Sequence, residues 1–218
     1  MVLSAEEARV VACLVEKETT VPDSYPLTLN ALRLACNQTT NRDPVVAYDD
    51  RTVEAALLSL KSMGLVRFVH PSHGGRTIRY RHVAGERWHL SPAELGVLAV
   101  LVLRGPQTVS EVRARAERHL TDEDAGTVEE ILDTLAARSP EPFAVRVERR
   151  PGEREGRWAH ALSGPPDVPE TAYEPATTER EPAPAPTANS DLARDVAELW
   201  LRVERLERLL GLEEDLRS

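Results

Sequence analysis

The chain has 218 residues, 41% hydrophobic and 4% aromatic, which suffices for packed cores in two small domains plus extra segments. Its net charge of −9 argues against a general polyanion binder. There is no run of about 18 apolar residues, so no membrane span is expected.

The first helix opens with a capping box: Ser4 can accept from the amide three residues on, Glu7 can reach back, and Leu3 can staple the turn. Val10, Val11 and Leu14 recur at helical spacing. The loop Thr19 to Pro26 breaks the pattern, and Pro26 suits the first turn of a second helix whose inward face is Leu29, Leu32 and Cys36. Asn37 to Pro44 is polar and turn-rich. A third helix is expected from about Arg51 to Met63, with Asp50 as its cap, Val53, Leu57 and Leu60 on one face and Gly64 as its stop. Val66–Val69 and Thr77–Tyr80 then read as a hairpin around Ser72-His73-Gly74-Gly75.

The same order returns. Ser91-Pro92-Ala93-Glu94 is a capping box, Val109–Leu120 reads as a second helix, and Thr127-Val128-Glu129-Glu130 is a capping box that opens a third. Phe143–Arg149 and Arg157–Leu162 read as strands, with Pro151-Gly152 in the turn between them. The copies align residue by residue: Glu7 to Val15 lies against Glu94 to Val102, pairing Arg9 with Gly96, and Thr52 to Leu60 lies against Thr127 to Leu135. Three helices followed by a hairpin, repeated, is the winged-helix pattern, and few winged helices are enzymes.

Residues 164–190 contain seven of the sixteen prolines and read as a flexible linker. In the stretch that follows, Leu192, Val196, Leu199, Val203, Leu206 and Leu210 alternate at heptad spacing. Valine at a and leucine at d favours a parallel two-stranded coil, so a homodimer is expected; an amphipathic helix packed on the body is the alternative. The fold class read from the sequence is therefore mostly α with small β-hairpins. It comprises winged-helix domains at 1–88 and 89–163, a Pro-rich linker at 164–190 and a C-terminal amphipathic or coiled-coil helix at 191–218.

Two further segments are distinctive. One runs from Val15-Glu16-Lys17-Glu18 through Val21-Pro22-Asp23-Ser24-Tyr25-Pro26-Leu27 to Ala35-Cys36-Asn37-Gln38-Thr39-Thr40-Asn41-Arg42-Asp43-Pro44-Val45; the other is His73-Gly74-Gly75-Arg76 followed by Tyr80-Arg81-His82. Together they closely resemble the YceH-like proteins, a bacterial family of unknown function. The resemblance covers about residues 1–165 and extends to the coiled-coil tail. It implies a tandem winged-helix fold and supplies no activity, ligand or catalytic residue.

Charge is unevenly spread. Residues 1–90 carry a net +1, residues 91–163 a net −3 and residues 164–218 a net −7. From Arg51 to Gly85 six cations face one acid, Glu54, for a local +5 around a Gly-rich turn. Phosphates need cationic donors, so Arg51, Arg76, Arg79 and Arg81 are the candidate nucleic-acid contacts. An exposed hairpin can also simply be charged. The expected outward face of the third helix, Arg51, Thr52, Ala55, Ser59 and Ser62, offers one guanine reader, so base discrimination should be weak. Asp122, Glu123, Asp124, Glu129 and Glu130 make the second copy a structural module or a contact for a protein partner. The run Asn37 to Arg42 either binds a small ligand or satisfies the backbone of a long loop.

No metal-ligand spacing, phosphate loop or nucleophile elbow occurs, so no metal, cofactor or catalytic residue is expected. Cys13 and Cys36 form no disulfide framework and read as buried free thiols in a reducing cytoplasm. Glu6 and Glu7 do not fit a secretory signal. The expected function is that of a cytoplasmic, non-enzymatic, DNA-associated transcriptional regulator; the alternative is a protein-interaction scaffold that binds no nucleic acid.

Overall fold

The protein is described here by a computed structural model, covering residues 2–71, 77–121, 128–149 and 155–164. Helix α1 (Ala5–Thr20) starts at the anticipated capping box: Glu7 N–H donates to Ser4 Oγ, and Ser4 N–H donates to Glu7 Oε2 at 2.7 Å. Leu3 is buried, and its amide donates to the Leu162 carbonyl at 2.7 Å, tying the start of α1 to the end of the second half.

Pro26 does not open the next helix. Leu27–Thr28 forms a short strand, β1, and Thr28 caps α2 (Leu29–Cys36) by accepting from the Ala31 amide. Helix α3 (Asp50–Ser62) is capped by Asp49 rather than Asp50. Asp49 Oδ1 takes both the Thr52 amide (2.8 Å) and the Thr52 hydroxyl (2.7 Å), which fixes the frame one residue earlier than expected. Strands β2 (Val66–Val69) and β3 (Arg79–His82) pair antiparallel, with β3 in the centre of the order β1-β3-β2. Strand β3 starts at Arg79 instead of Thr77, in a register that sets Tyr80 edge-on to Phe68 at 4.9 Å and buries both Tyr80 and His82.

A short helix α4 (Ala84–Trp88), not anticipated from the sequence, leads into α5 (Pro92–Arg104), which has its own capping box. Helix α6 runs only over Val109–Ala116, after which the chain tightens into a 3-10 turn at Glu117–His119. Gln107 pairs with Trp158 through two backbone hydrogen bonds, and Thr108 then caps α6; the first half uses Leu27 and Thr28 in the same way. Helix α7 (Val128–Ala136) is followed by β4 (Ala144–Val147) and β5 (Arg157–His160), an antiparallel pair. The molecule is thus mostly helical with small antiparallel strand pairs, and the order of helices and strands repeats.

One buried cluster serves both halves. It passes from Leu3, Val10 and Leu14 on α1 through Leu57 and Leu60 on α3 to Leu98 and Leu101 on α5, and on to Leu132, Leu135 and Trp158. Helix α1 packs against α2, α3 and α5. The halves are also stitched together by the Asp43 amide on the Leu103 carbonyl (2.8 Å), and Arg138 donates to the carbonyls of Trp88 and His89.

The turn Ser72-His73-Gly74-Gly75, Arg76, the acids Asp122, Glu123 and Asp124, the cap Thr127 and the turn Pro151-Gly152 lie outside the described residues. So do the linker from residue 165 onward and the seam Leu192, Val196, Leu199, Val203, Leu206 and Leu210. Among the described residues no helix is long and apolar enough to cross a membrane.

Candidate nucleic-acid interface

Side chains alternate along a strand, so β2 and β3 have an inner and an outer face. Val66, Phe68, Tyr80 and His82 point inward. Arg67, Arg79 and Arg81 share the outer face, and Arg67 and Arg81 are direct cross-strand partners. Like charges directly opposite one another are destabilising. An acid relieves one of them: Arg67 reaches Glu86 at 3.4 Å, an exposed pair worth little. Arg79 donates to the carbonyls of Pro26 (2.8 Å) and Ser24 (3.4 Å), so part of its donor capacity holds the loop before α2. The guanidinium of the half-buried Arg81 makes no hydrogen bond or ion pair among the described residues.

Arg51 is exposed in the first turn of α3. The carboxylates there are both engaged: Asp49 caps, and Asp50 is ion-paired to Arg33 of α2 at 2.8 Å. The exposed positions of α3 are Asp50, Arg51, Glu54, Ala55, Leu58, Lys61 and Ser62; Thr52 and Ser59, expected outward, are half-buried. Leu58 is 60% exposed, so this face offers an apolar side chain and an acid where base readers would be useful. Lys61 is turned over the Phe68 ring, 4.4 Å from its centroid. Sequence reasoning counted Arg67 as charge but did not place it at the site; the period-two spacing of Arg67 with Val69, and of Arg79 with Arg81, is the signal for a common face.

In the polar run from Asn37 to Arg42, the side chains of Asn37, Gln38 and Arg42 turn inward, whereas Thr39, Thr40 and Asn41 are exposed. Asn37 exchanges two side-chain hydrogen bonds of 2.8 Å with the backbone of Tyr48, closing the loop. The fully buried Arg42 guanidinium forks onto Glu16 at 3.0 and 2.7 Å and also donates to Gln38 and to the carbonyls of Ala35 and Asn41. Burial pushes the Glu16 carboxyl up, but the hydrogen bond and charge of Arg42 outweigh it and hold Glu16 below the usual carboxylate range. These residues fasten the fold. Cys13 and Cys36 are buried free thiols beside them. Among the described residues no three His, Cys, Asp or Glu side chains gather as metal ligands.

Beneath the arginine face, His82 Nε2 lies 2.7 Å from Glu18 Oε2, and its amide donates to the Tyr25 hydroxyl. Burial keeps His82 below the ordinary imidazole range even though Glu18 pulls the other way. His119 and His160 are lowered by burial as well, with Arg9 adding to the effect at His160. A base whose folded value lies below its unfolded one binds more protons when unfolded, so it stabilises the fold above about pH 6.5 and that contribution is lost as pH falls. The paired carboxylates, held low, act only below about pH 4.5. The thermal midpoint should therefore drop between about pH 7.5 and 5.5, followed by calorimetry, and His82→Gln should flatten the slope. A midpoint that rises on acidification over this window would contradict buried neutral histidines.

The profile of a family described as "Protein of unknown function, DUF480" matches residues 3–153. A UPF0502 protein of Geobacter sulfurreducens is 48% identical over 168 residues, 77% of this chain and 75% of its own. A UPF0502 protein of Geotalea uraniireducens is 44% identical over 215 residues, 99% of this chain and 89% of its own. One from Leptothrix cholodnii is 41% identical over 220 residues, covering 98% and 97%.

Proposed function

For this chain, which belongs to the DUF480 family of proteins of unknown function, we propose a non-enzymatic, DNA-associated regulator built from two winged-helix halves. The observation that supports this most is the outer face of β2 and β3, where Arg67, Arg79 and Arg81 stand together and, among the described residues, only Arg67 meets an acid. A cross-strand arginine pair costs stability in the free protein, and a phosphate backbone would neutralise it. Arg51 extends the contact to α3, and Arg76, which precedes β3 in sequence, belongs to the same reading. Duplex is held mainly through phosphates, with weak base discrimination, because the exposed face of α3 carries Glu54 and Leu58. In this reading the heptad seam from Leu192 to Leu210 makes the protein a cytoplasmic homodimer.

Fluorescence anisotropy with duplex DNA at low and physiological salt tests the assignment. Binding should weaken steeply with salt, and Arg67→Ala with Arg81→Ala should remove about one unit of log–log salt slope per contact. No binding at low salt, or a variant that binds as wild type does, refutes it. A second reading, a scaffold that docks a protein on α3, is favoured by the exposure of Leu58 and predicts that outcome.

A further inference from the structure

We infer that the cavity between the two halves beside Arg9 is a binding site for a small carboxylate with an apolar body. The cavity, about 390 Å³, is lined by α1, the loop at Pro44 and Tyr48, α5 with Gly105 and Pro106, and β5 with the residues after it. Its walls are largely apolar, including Ala5, Ala8, Val102 and Ala159, and its polar groups come from Arg9, His160, Tyr48 and Ser163.

Arg9 is 3% exposed, yet no carboxylate pairs with it among the described residues. Its Nη2 donates to the Pro44 carbonyl, while Nη1, out of contact with solvent, has no acceptor there. His160 Nδ1, in the same cavity lining, is also buried without a partner. Glu6, one turn before Arg9, accepts instead from the Ser4 hydroxyl at 2.8 Å. Buried charges are ordinarily paired, and water can satisfy a donor but supplies no counter-ion. The repeat shows that the fold does not require a guanidinium at this place, because the position equivalent to Arg9 in the second copy is Gly96.

The chemistry selects the ligand class. Arg9 offers one positive charge and, with Nη2 held on the Pro44 carbonyl, one uncommitted donor, Nη1, for a carboxylate oxygen. Burial and Arg9 together keep His160 neutral, so it contributes a hydrogen bond and no second charge. A monoanion is matched; a phosphate dianion is not. The apolar walls then take an aliphatic or aromatic body, giving the concave, mostly apolar pocket with few polar groups that small ligands prefer.

The test uses the full chain with hexanoate and benzoate, their neutral amides, and inorganic phosphate, read by thermal shift and saturation-transfer NMR. At least one carboxylate should bind saturably, the amides should not, and Arg9→Gln should weaken binding at least tenfold. Should Arg9→Gln fail to fold, Ala5→Phe, which places a ring at the exposed rim of the cavity, should abolish binding in a folded protein. Absence of saturable carboxylate binding, equal binding of the amides, preference for phosphate, or retention in Arg9→Gln or Ala5→Phe each overturns the inference.

Discussion

Arg42→Met should destabilise the protein by about 3–5 kcal/mol, the cost of removing one partner from a buried ion pair. The guanidinium is fully buried, whereas Glu16 keeps 17% of its side chain exposed, which favours the lower end of that range. The loss exceeds one pair, because Arg42 also takes the Ala35 carbonyl near the end of α2 and binds its own loop through Asn41 and Gln38. Without it, the Glu16 carboxylate keeps only the Lys17 ammonium, at 3.1 Å, as an ion-pair partner among the described residues. For a body of this size the midpoint should fall by on the order of 10 °C. Glu16→Met combined with Arg42→Met should be milder than the single Arg42 change, since an apolar pair leaves no orphaned charge. Urea unfolding of wild type and the two variants checks this. A single variant within about 1 kcal/mol of wild type, or a double variant worse than it, would show that the pair does not hold the loop.

The same residues show what could be read from the sequence. The capping boxes at Ser4 and Ser91 were legible because both partners lie within one turn, so local spacing contains the whole interaction. Arg42 and Glu16 are 26 residues apart and meet only when α1 and the loop after α2 pack, so local spacing leaves a ligand site open as the alternative to a loop that satisfies its own backbone. The charge count of the first strand pair leaves out one acid for a related reason: Glu86, 19 residues from Arg67 in sequence, lies just past the basic stretch and closes onto it in space. Strand β1 carries no periodic signal in two residues, and only its partner β3, far along the chain, makes it a strand. The outward face of α3 was assigned from polarity. Packing instead leaves Leu58 exposed and turns Ser59 half inward, because burial of Val53, Ala56, Leu57 and Leu60 fixes the rotation of the helix. Arg9 left no local trace either: on a helix full of buried apolar residues, its lack of a partner is a property of the assembled cavity.

Gly96→Ala tests the packing inside the second half, with two principles opposed in sign. Glycine inside a helix costs roughly 0.5–1 kcal/mol relative to alanine, so propensity alone makes the substitution stabilising. The structure predicts the reverse. A Cβ at Gly96 would lie 2.2 Å from His119 Cβ and 2.7 Å from its Cγ. Neither atom is a flexible tip; His119 Cβ moves only with its backbone, so the Glu117–His119 turn must lift off α5. Overpacking of this kind costs about 1–3 kcal/mol, which outweighs the helical gain and leaves a net loss of about 1–2 kcal/mol. Lifting the turn also re-exposes His119, so its contribution to the pH dependence should shrink in the variant. His119→Gly removes the opposing Cβ. If the clash is the cause, the double variant should be more stable than the two single losses predict, by a coupling of about 1 kcal/mol or more in a double-mutant cycle. Additive losses, or a stabilised Gly96→Ala, would mean that the turn does not sit against α5 as closely as these distances require.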